Sequence, residues 1–142
     1  MNKNELINLL NDDLKNEWMH LRFYLYHASQ VVGLHAHEFK ELLLKEAGSE
    51  MTHVTEFSDL IVGLGGSPTD ESNEFFKYSE PKEIIQYALE MEKKVVKNYT
   101  ERIKQAQTLN DEDGLWIEIF LEKQIEHSRS DVDHFKQILR GL

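Results

Sequence analysis

Four long stretches of this chain repeat apolar residues every three or four positions, and no stretch alternates with a convincing period of two. A period of 3.6 residues places the apolar side chains on one face of an α-helix, whereas strands need a period of two. The chain is therefore predicted to be all-α. Its helices are expected at about Lys3–Val32, Ala36–Val62 and Pro81–Thr108, and from the turn 110–114 to about Arg140.

The links between these helices predict the topology. The first and third links have only a few residues, which forces each pair of helices to lie antiparallel. The middle link, about Gly63 to Glu80, can extend to roughly 55 Å, more than the roughly 40 Å length of such helices. We expect a four-helix bundle of two antiparallel hairpins joined by a long crossover. At 142 residues, the chain is expected to form one domain, 1–142.

Metal-ligand side chains interrupt the apolar stripes of the first hairpin. Glu17 lies in line with the leucines of the first helix, while Glu50 and His53 share a face of the second helix because they are three residues apart. Residues on two hairpin arms face each other when they are equally far from the turn. Counted from Leu34, Glu17 is 17 residues before the turn, and Glu50 and His53 are 16 and 19 after it. These three side chains are predicted to meet.

The second hairpin repeats this arrangement. Glu92 lies on the apolar stripe of the third helix, and Gln124 and His127 lie three residues apart on that of the fourth. Counted from Asn110, Glu92 is 18 residues before the turn, and Gln124 and His127 are 14 and 17 after it. All six groups are thus expected at about the same depth, half-way along the bundle.

Buried carboxylates cost several kcal/mol unless they are paired or bind a cation. Ferrous iron accepts mixed carboxylate and imidazole ligands, and a bridging carboxylate can hold two ions close together. The six groups therefore predict a site for two metal ions, best filled by iron. The alternative is a bundle whose buried polar groups are hydrogen-bonded to one another, with no metal.

These residues give the chain a resemblance to the ferritin-like superfamily, above all to bacterioferritins and Dps-like ferritins, over essentially its whole length. The motifs that carry the resemblance are Glu17 with Tyr24 seven residues later, Glu50-Met51-Thr52-His53, Glu92, and the pair ending in His127. The resemblance implies a ferroxidase centre that oxidises Fe(II) with O2 or H2O2. It further implies that ferric iron is stored inside a homo-oligomeric protein cage.

The resemblance also implies roles for individual residues. Glu17 and His53 would hold one iron, Glu92 and His127 the other, and Glu50 would bridge them. Tyr24 would be a hydrogen-bonding partner behind the ligands. Met51 occupies the position of the methionine that binds haem across a two-fold interface in bacterioferritins; otherwise it fills an apolar interface.

Two features depart from bacterioferritins. Gln124 stands where a second bridging carboxylate is expected, so the site is intermediate between those of bacterioferritins and non-haem ferritins. The chain also ends at Leu142, without the short fifth helix of ferritins and bacterioferritins. Cages of 12 and of 24 subunits are therefore both open.

The remaining histidines, acidic residues and aromatic residues are expected to have structural or surface roles. His20 lies beside the main stripe of the first helix, Asp131 and His134 lie about 10 Å below the site, and His35 and His37 lie in a turn. Solvated faces, or an acidic inner surface that receives iron, are predicted for Glu46, Glu118, Glu122 and Glu126. Subunit contacts are predicted for the aromatic residues expected at the surface, namely Trp18, Phe23, Tyr26, Phe75, Phe76 and Trp116.

Composition excludes several other functions. A net charge of −10 without a basic segment argues against nucleic acid as a partner, and the absence of cysteine excludes disulfides, zinc–thiolate sites and iron–sulfur clusters. No signal peptide or membrane span is expected, so the protein is predicted to be cytoplasmic. The alternatives are a di-iron or di-manganese peroxidase or catalase of the rubrerythrin type, although no Cys-x-x-Cys domain is present, and a non-catalytic cargo or interaction bundle.

Overall fold

A computed structural model describes residues 1–142 and contains four helices and no strand. The helices are α1 (Lys3–Gln30), α2 (Ala36–Gly63), α3 (Pro81–Gln107) and α4 (Glu112–Arg140). The predicted all-α class is confirmed, and the first three helices end within two residues of their predicted ends. No helix combines the length and hydrophobicity that crossing a membrane would require.

The chain divides into two compact units. The α1/α2 unit comprises residues 10–84, and the α3/α4 unit comprises residues 1–9 and 85–142. Each has its own set of fully buried apolar side chains. Those of the α1/α2 unit include Leu14, Phe23, Leu43, Phe57 and Ile61, and those of the α3/α4 unit include Leu6, Ile85, Ile117, Leu121 and Phe135.

The two hairpin turns are formed by different residues. Gly33, in the α1–α2 link, has a φ of +101°, a backbone conformation that L side chains rarely adopt. In the α3–α4 link, Asp111 caps α4 by accepting a hydrogen bond of 2.9 Å from the Gly114 backbone N–H. Gly114 belongs to the first turn of α4 and not to the predicted loop. A Cβ atom there would lie 2.5 Å from the Ala106 carbonyl oxygen, so the close approach of the two arms requires glycine.

The crossover after α2 runs along α1 in the direction of that helix. Near its start, the Asn11 side chain donates to the Ser67 carbonyl (3.0 Å) and accepts from the Thr69 backbone N–H (2.8 Å). At its end, His27 Nε2 accepts a hydrogen bond of 3.0 Å from the Tyr78 backbone N–H. Asn11 and His27 are separated by about 24 Å of helix. The crossover therefore carries the chain along most of α1, as its length predicted.

The aromatic residues near the crossover correct part of the surface prediction. Phe23 is fully buried, because the crossover covers this side of α1 and places the Phe75 ring edge-on to it, with ring centroids 5.9 Å apart. Trp18 and Tyr26 are partly buried, since Trp18 donates to the Thr69 carbonyl and Tyr26 lies beside Phe75. Phe76 and Trp116 are exposed as predicted.

Candidate metal centre

The α1/α2 unit brings three ligand-type side chains together in its interior. Glu17 comes from α1, and Glu50 and His53 come from successive turns of α2. His53 Nδ1 lies 3.3 Å from Glu50 Oε2 and 3.5 Å from Glu17 Oε2. None of the three side chains is more than 3% exposed. The antiparallel arms of the hairpin thus place at one level the three residues that are equally far from the turn.

A fourth polar side chain, His20, lies at the same level and is buried, although the sequence analysis placed it beside the main stripe of the first helix. It is as buried as Glu17, and its Nδ1 lies 3.8 Å from Glu50 Oε1. The buried positions 13, 17, 20, 24 and 27 of α1 follow spacings of three and four, so His20 lies on the same inward face as Glu17.

Burial and mutual contact shift the pKa values of Glu17, Glu50 and His53 in different directions. Burial and the Glu50 carboxylate raise the pKa of Glu17 from 4.5 to about 7. Burial alone would raise the pKa of Glu50 too, but interactions with Glu17, His20 and His53 hold it well below its usual range. Burial would lower the pKa of His53, yet the two carboxylates raise it to about 11. Without a cation, His53 therefore carries a proton at neutral pH and supplies the positive charge that the carboxylates need.

Two of the predicted site residues are buried in the α3/α4 unit. Glu92 on α3 and Gln124 on α4 are each 1% exposed. Neither the Oε1 nor the Nε2 atom of Gln124 has a hydrogen-bond partner in the protein. A buried amide without partners costs on the order of 1–3 kcal/mol, so this position is suited to a ligand from outside the chain.

His127 does not join this set, contrary to the prediction. Its side chain is exposed, whereas the next residue, Ser128, is buried. The buried residues of α4 follow spacings of three and four, and after Gln124 the spacing is four. The core-facing stripe therefore passes through Ser128, and His127 lies outside it.

The structure also places the other residues singled out in the sequence. Tyr24 is fully buried, Met51 is 58% exposed, and His35, His37 and His134 are exposed. Asp131 is half-buried. Glu122 and Glu126 lie at the surface and Glu118 is partly exposed, but Glu46 is buried and its solvated-face prediction is wrong. Glu46 precedes Glu50 by one helical turn and shares its buried face.

Two further buried polar side chains, Asp13 and His27, were not identified from the sequence. The signal was present, because positions 13, 17, 20, 24 and 27 of α1 follow helical spacings of three and four. His27 Nδ1–H donates to the Phe23 carbonyl (2.8 Å) while Nε2 accepts from Tyr78. Burial lowers the pKa of His27, which is consistent with a neutral ring in this position.

The spacing of Glu17, Glu50 and His53 fits a bound transition metal. With metal–ligand bonds of about 2.1 Å, neighbouring ligand atoms around one ion are about 3.0–3.4 Å apart, close to the distances in this cluster. Their ligand atoms all lie within 4.8 Å of one another. Two carboxylates and an imidazole, with no thiolate, suit iron and manganese. The residues present therefore fit a divalent iron ion.

Comparisons with known proteins show the family and the fold of this chain. The profile of the ferritin-like domain matches residues 7–142. A solved structure from Bacillus anthracis str. Ames, described as a ferritin-like, diiron-carboxylate protein, shares 27% identity and a TM-score of 0.89, covering 98% of this chain and 99% of its own. Rhodobacter capsulatus bacterioferritin, solved with a metal-free dinuclear site and haem iron, shares the fold at 19% identity with a TM-score of 0.85, covering 96% of this chain and 84% of its own. No curated protein matches the chain. The predicted ferritin-like four-helix fold is thereby confirmed.

Proposed function

Because this chain belongs to the ferritin-like domain family, we propose that it oxidises Fe(II) at a ferroxidase centre and stores the ferric product. The observation that carries this proposal is the buried group of Glu17, Glu50 and His53, whose spacing fits a metal ion. Glu17 and Glu50 are buried and close enough for Glu50 to raise the pKa of Glu17. Two such carboxylates destabilise a protein core when no cation is bound. A divalent cation removes this penalty.

In this proposal, Glu17, Glu50 and His53 hold the first iron. Glu92 supplies the carboxylate from α3, and the Gln124 Oε1 atom, which lacks a partner in the protein, supplies a neutral oxygen from α4. Tyr24 is proposed to lie behind the ligands as a hydrogen-bonding group. Because Gln124 is a neutral amide, the site carries one negative charge fewer than it would with a carboxylate at this position. The ferric product is therefore held less tightly and can leave for storage.

Fe(II) is the substrate, and two Fe(II) ions provide two electrons per reaction. O2 accepts these electrons with two protons to give H2O2, and H2O2 accepts them with two protons to give two water molecules. His53 has to release its proton when iron binds, which places one proton beside the reacting ions. We propose that the product is stored in the cytoplasm inside a homo-oligomeric cage of 12 or 24 subunits.

Anaerobic Fe(II) titration followed by O2 or H2O2 tests the proposal. Wild type is expected to bind about two irons per chain and to oxidise them rapidly, whereas Glu50→Ala and Glu92→Ala bind fewer and oxidise them slowly. Glu90→Ala is the matched control, because Glu90 is an exposed carboxylate two residues from Glu92 on the same helix. Equal binding by all four proteins would refute the metal centre.

The products and the assembly test the storage function separately. A cage is expected to elute as a 12- or 24-mer in size-exclusion chromatography with light scattering, and to retain ferric mineral. Sustained H2O2 turnover by a small oligomer without mineral would instead indicate the rubrerythrin-type peroxidase or catalase. An intact bundle with no iron-dependent activity would indicate the cargo or interaction role.

Haem binding at Met51 is a separate proposal. It is supported by the exposure of this side chain on α2, one position after Glu50. Haemin titration of wild type and Met51→Leu should show a methionine-ligated absorption spectrum only in the wild type. Identical spectra for the two proteins would refute it.

A further inference from the structure

We propose that His20 is the second imidazole ligand of the metal centre, in the role that the resemblance to bacterioferritins gave to His127. This inference rests on the proposed function and concerns which residue completes its site. It starts from the position of Glu50 between two histidines on two different helices. It starts also from the exposure of His127, which the sequence predicted to be a ligand.

The two oxygens of Glu50 face different imidazoles. Oε2 lies 3.3 Å from His53 Nδ1, and Oε1 lies 3.8 Å from His20 Nδ1. A carboxylate in this position can give one oxygen to each of two ions. One ion would then bind His53 together with Glu17, and the other would bind His20. Glu50 thereby becomes the bridging group, and each ion receives one imidazole.

The distance from His20 to Glu50 favours a bound ion over a direct hydrogen bond. At 3.8 Å the pair is beyond hydrogen-bond length. Two ligands of one ion with bonds of about 2.1 Å lie between about 3.0 Å and about 4.2 Å apart, from adjacent to opposite positions. The side chain is also fully enclosed by the protein, at 2% exposure. It therefore need not move far to coordinate.

The sequence pattern agrees with this assignment. Glu17 and His20 form a Glu-x-x-His pair on α1, and Glu50 and His53 form the same pair on α2. Since the two helices are antiparallel and both pairs lie at one level, the hairpin supplies two carboxylates and two imidazoles. On α4, by contrast, the buried position after Gln124 is Ser128. His127 would need a rotation of α4 by more than a quarter turn to replace it.

Anaerobic Co(II) titration, followed by the visible ligand-field spectrum, tests the inference without relying on activity. Wild type and His127→Ala are expected to bind two Co(II) per chain with the same spectrum. His20→Ala is expected to bind one ion as before and the second at least tenfold more weakly. His20→Asn, which keeps a polar side chain, should show the same loss, and circular dichroism and urea unfolding confirm that the variants are folded.

The outcomes separate this inference from the proposed function. Two Co(II) with unchanged affinity and spectrum in both His20 variants would overturn the role of His20 and leave the metal centre intact. Loss of the second Co(II) in His127→Ala would also overturn it, even if the His20 variants failed to fold. Absence of Co(II) binding by wild type, or equal binding by Glu50→Ala, would refute the proposed function itself.

Discussion

Replacing Glu17 by glutamine is expected to stabilise the metal-free protein while impairing metal binding. Burial and the neighbouring Glu50 carboxylate raise the pKa of Glu17 from 4.5 to about 7. One pKa unit corresponds to about 1.4 kcal/mol. Ionised Glu17 therefore costs the folded protein about 3 kcal/mol at pH 8, and a neutral glutamine of the same size avoids this cost.

The sign of the pH dependence follows from proton binding. In the unfolded chain Glu17 loses its proton near pH 4.5, but in the folded protein it keeps the proton up to about pH 7. The folded state thus binds more protons between these values, and this group lowers stability as the pH rises through them. The advantage of Glu17→Gln should be small at pH 5 and reach about 3 kcal/mol at pH 8.

Urea unfolding in the presence of EDTA, at pH 5 and pH 8, measures this difference. Glu90→Gln is the control, because an exposed carboxylate should change the free energy of unfolding by no more than about 0.5 kcal/mol. With saturating Co(II) the order should reverse, since an ion that binds only the folded wild type stabilises it. A lower stability of metal-free Glu17→Gln at pH 8, or the same difference at both pH values, would refute the reasoning.

Three further predictions concern the contact at Gly114 and the protonation of His27 and His53. In thermal unfolding, Gly114→Ala should destabilise the protein by about 1–3 kcal/mol, because the new methyl group meets the Ala106 carbonyl. Gly48→Ala is the control: this position on α2 is open, so the substitution should stabilise the protein by up to about 1 kcal/mol. The stability that neutral His27 contributes should be present above pH 6.5 and lost as the pH falls below it, because its folded pKa is lowered. The protection factor of the Tyr78 amide, which is its exchange rate relative to that of the unfolded chain at the same pH, should fall over that range. An unchanged protection factor would contradict this. Co(II) affinity should rise about tenfold per pH unit above pH 7, because His53 must lose one proton, and more steeply below pH 7, where Glu17 must lose one as well. A flat profile in calorimetry would exclude this displacement.

The helices and the first hairpin could be predicted from the sequence because their signals are local. Apolar periodicity, Gly33 and Pro81 define the helices, and a short turn fixes which residues of α1 and α2 face each other. Counting from that turn was sufficient to pair Glu17 with Glu50 and His53. The length of the crossover indicated its route, although not the surface that it covers.

Errors arose where burial depends on contacts distant in sequence. On α4, spacings of three and four both preserve a helical stripe, so the sequence could not distinguish His127 from Ser128 as the next inward position. On α1, the crossover covers Phe23 and places the Phe75 ring beside it. Neither effect is visible in the periodicity of one helix, because it depends on which elements pack around that helix.

Anomalous diffraction at the iron absorption edge, from crystals soaked anaerobically in Fe(II), tests the central claim most directly. The account predicts an iron peak about 2.0–2.3 Å from His53 Nδ1 and from carboxylate oxygens of Glu17 and Glu50. It further predicts a second peak on the His20 side of Glu50. Well-ordered crystals with iron peaks only at surface residues, and none between Glu17, Glu50 and His53, would contradict it.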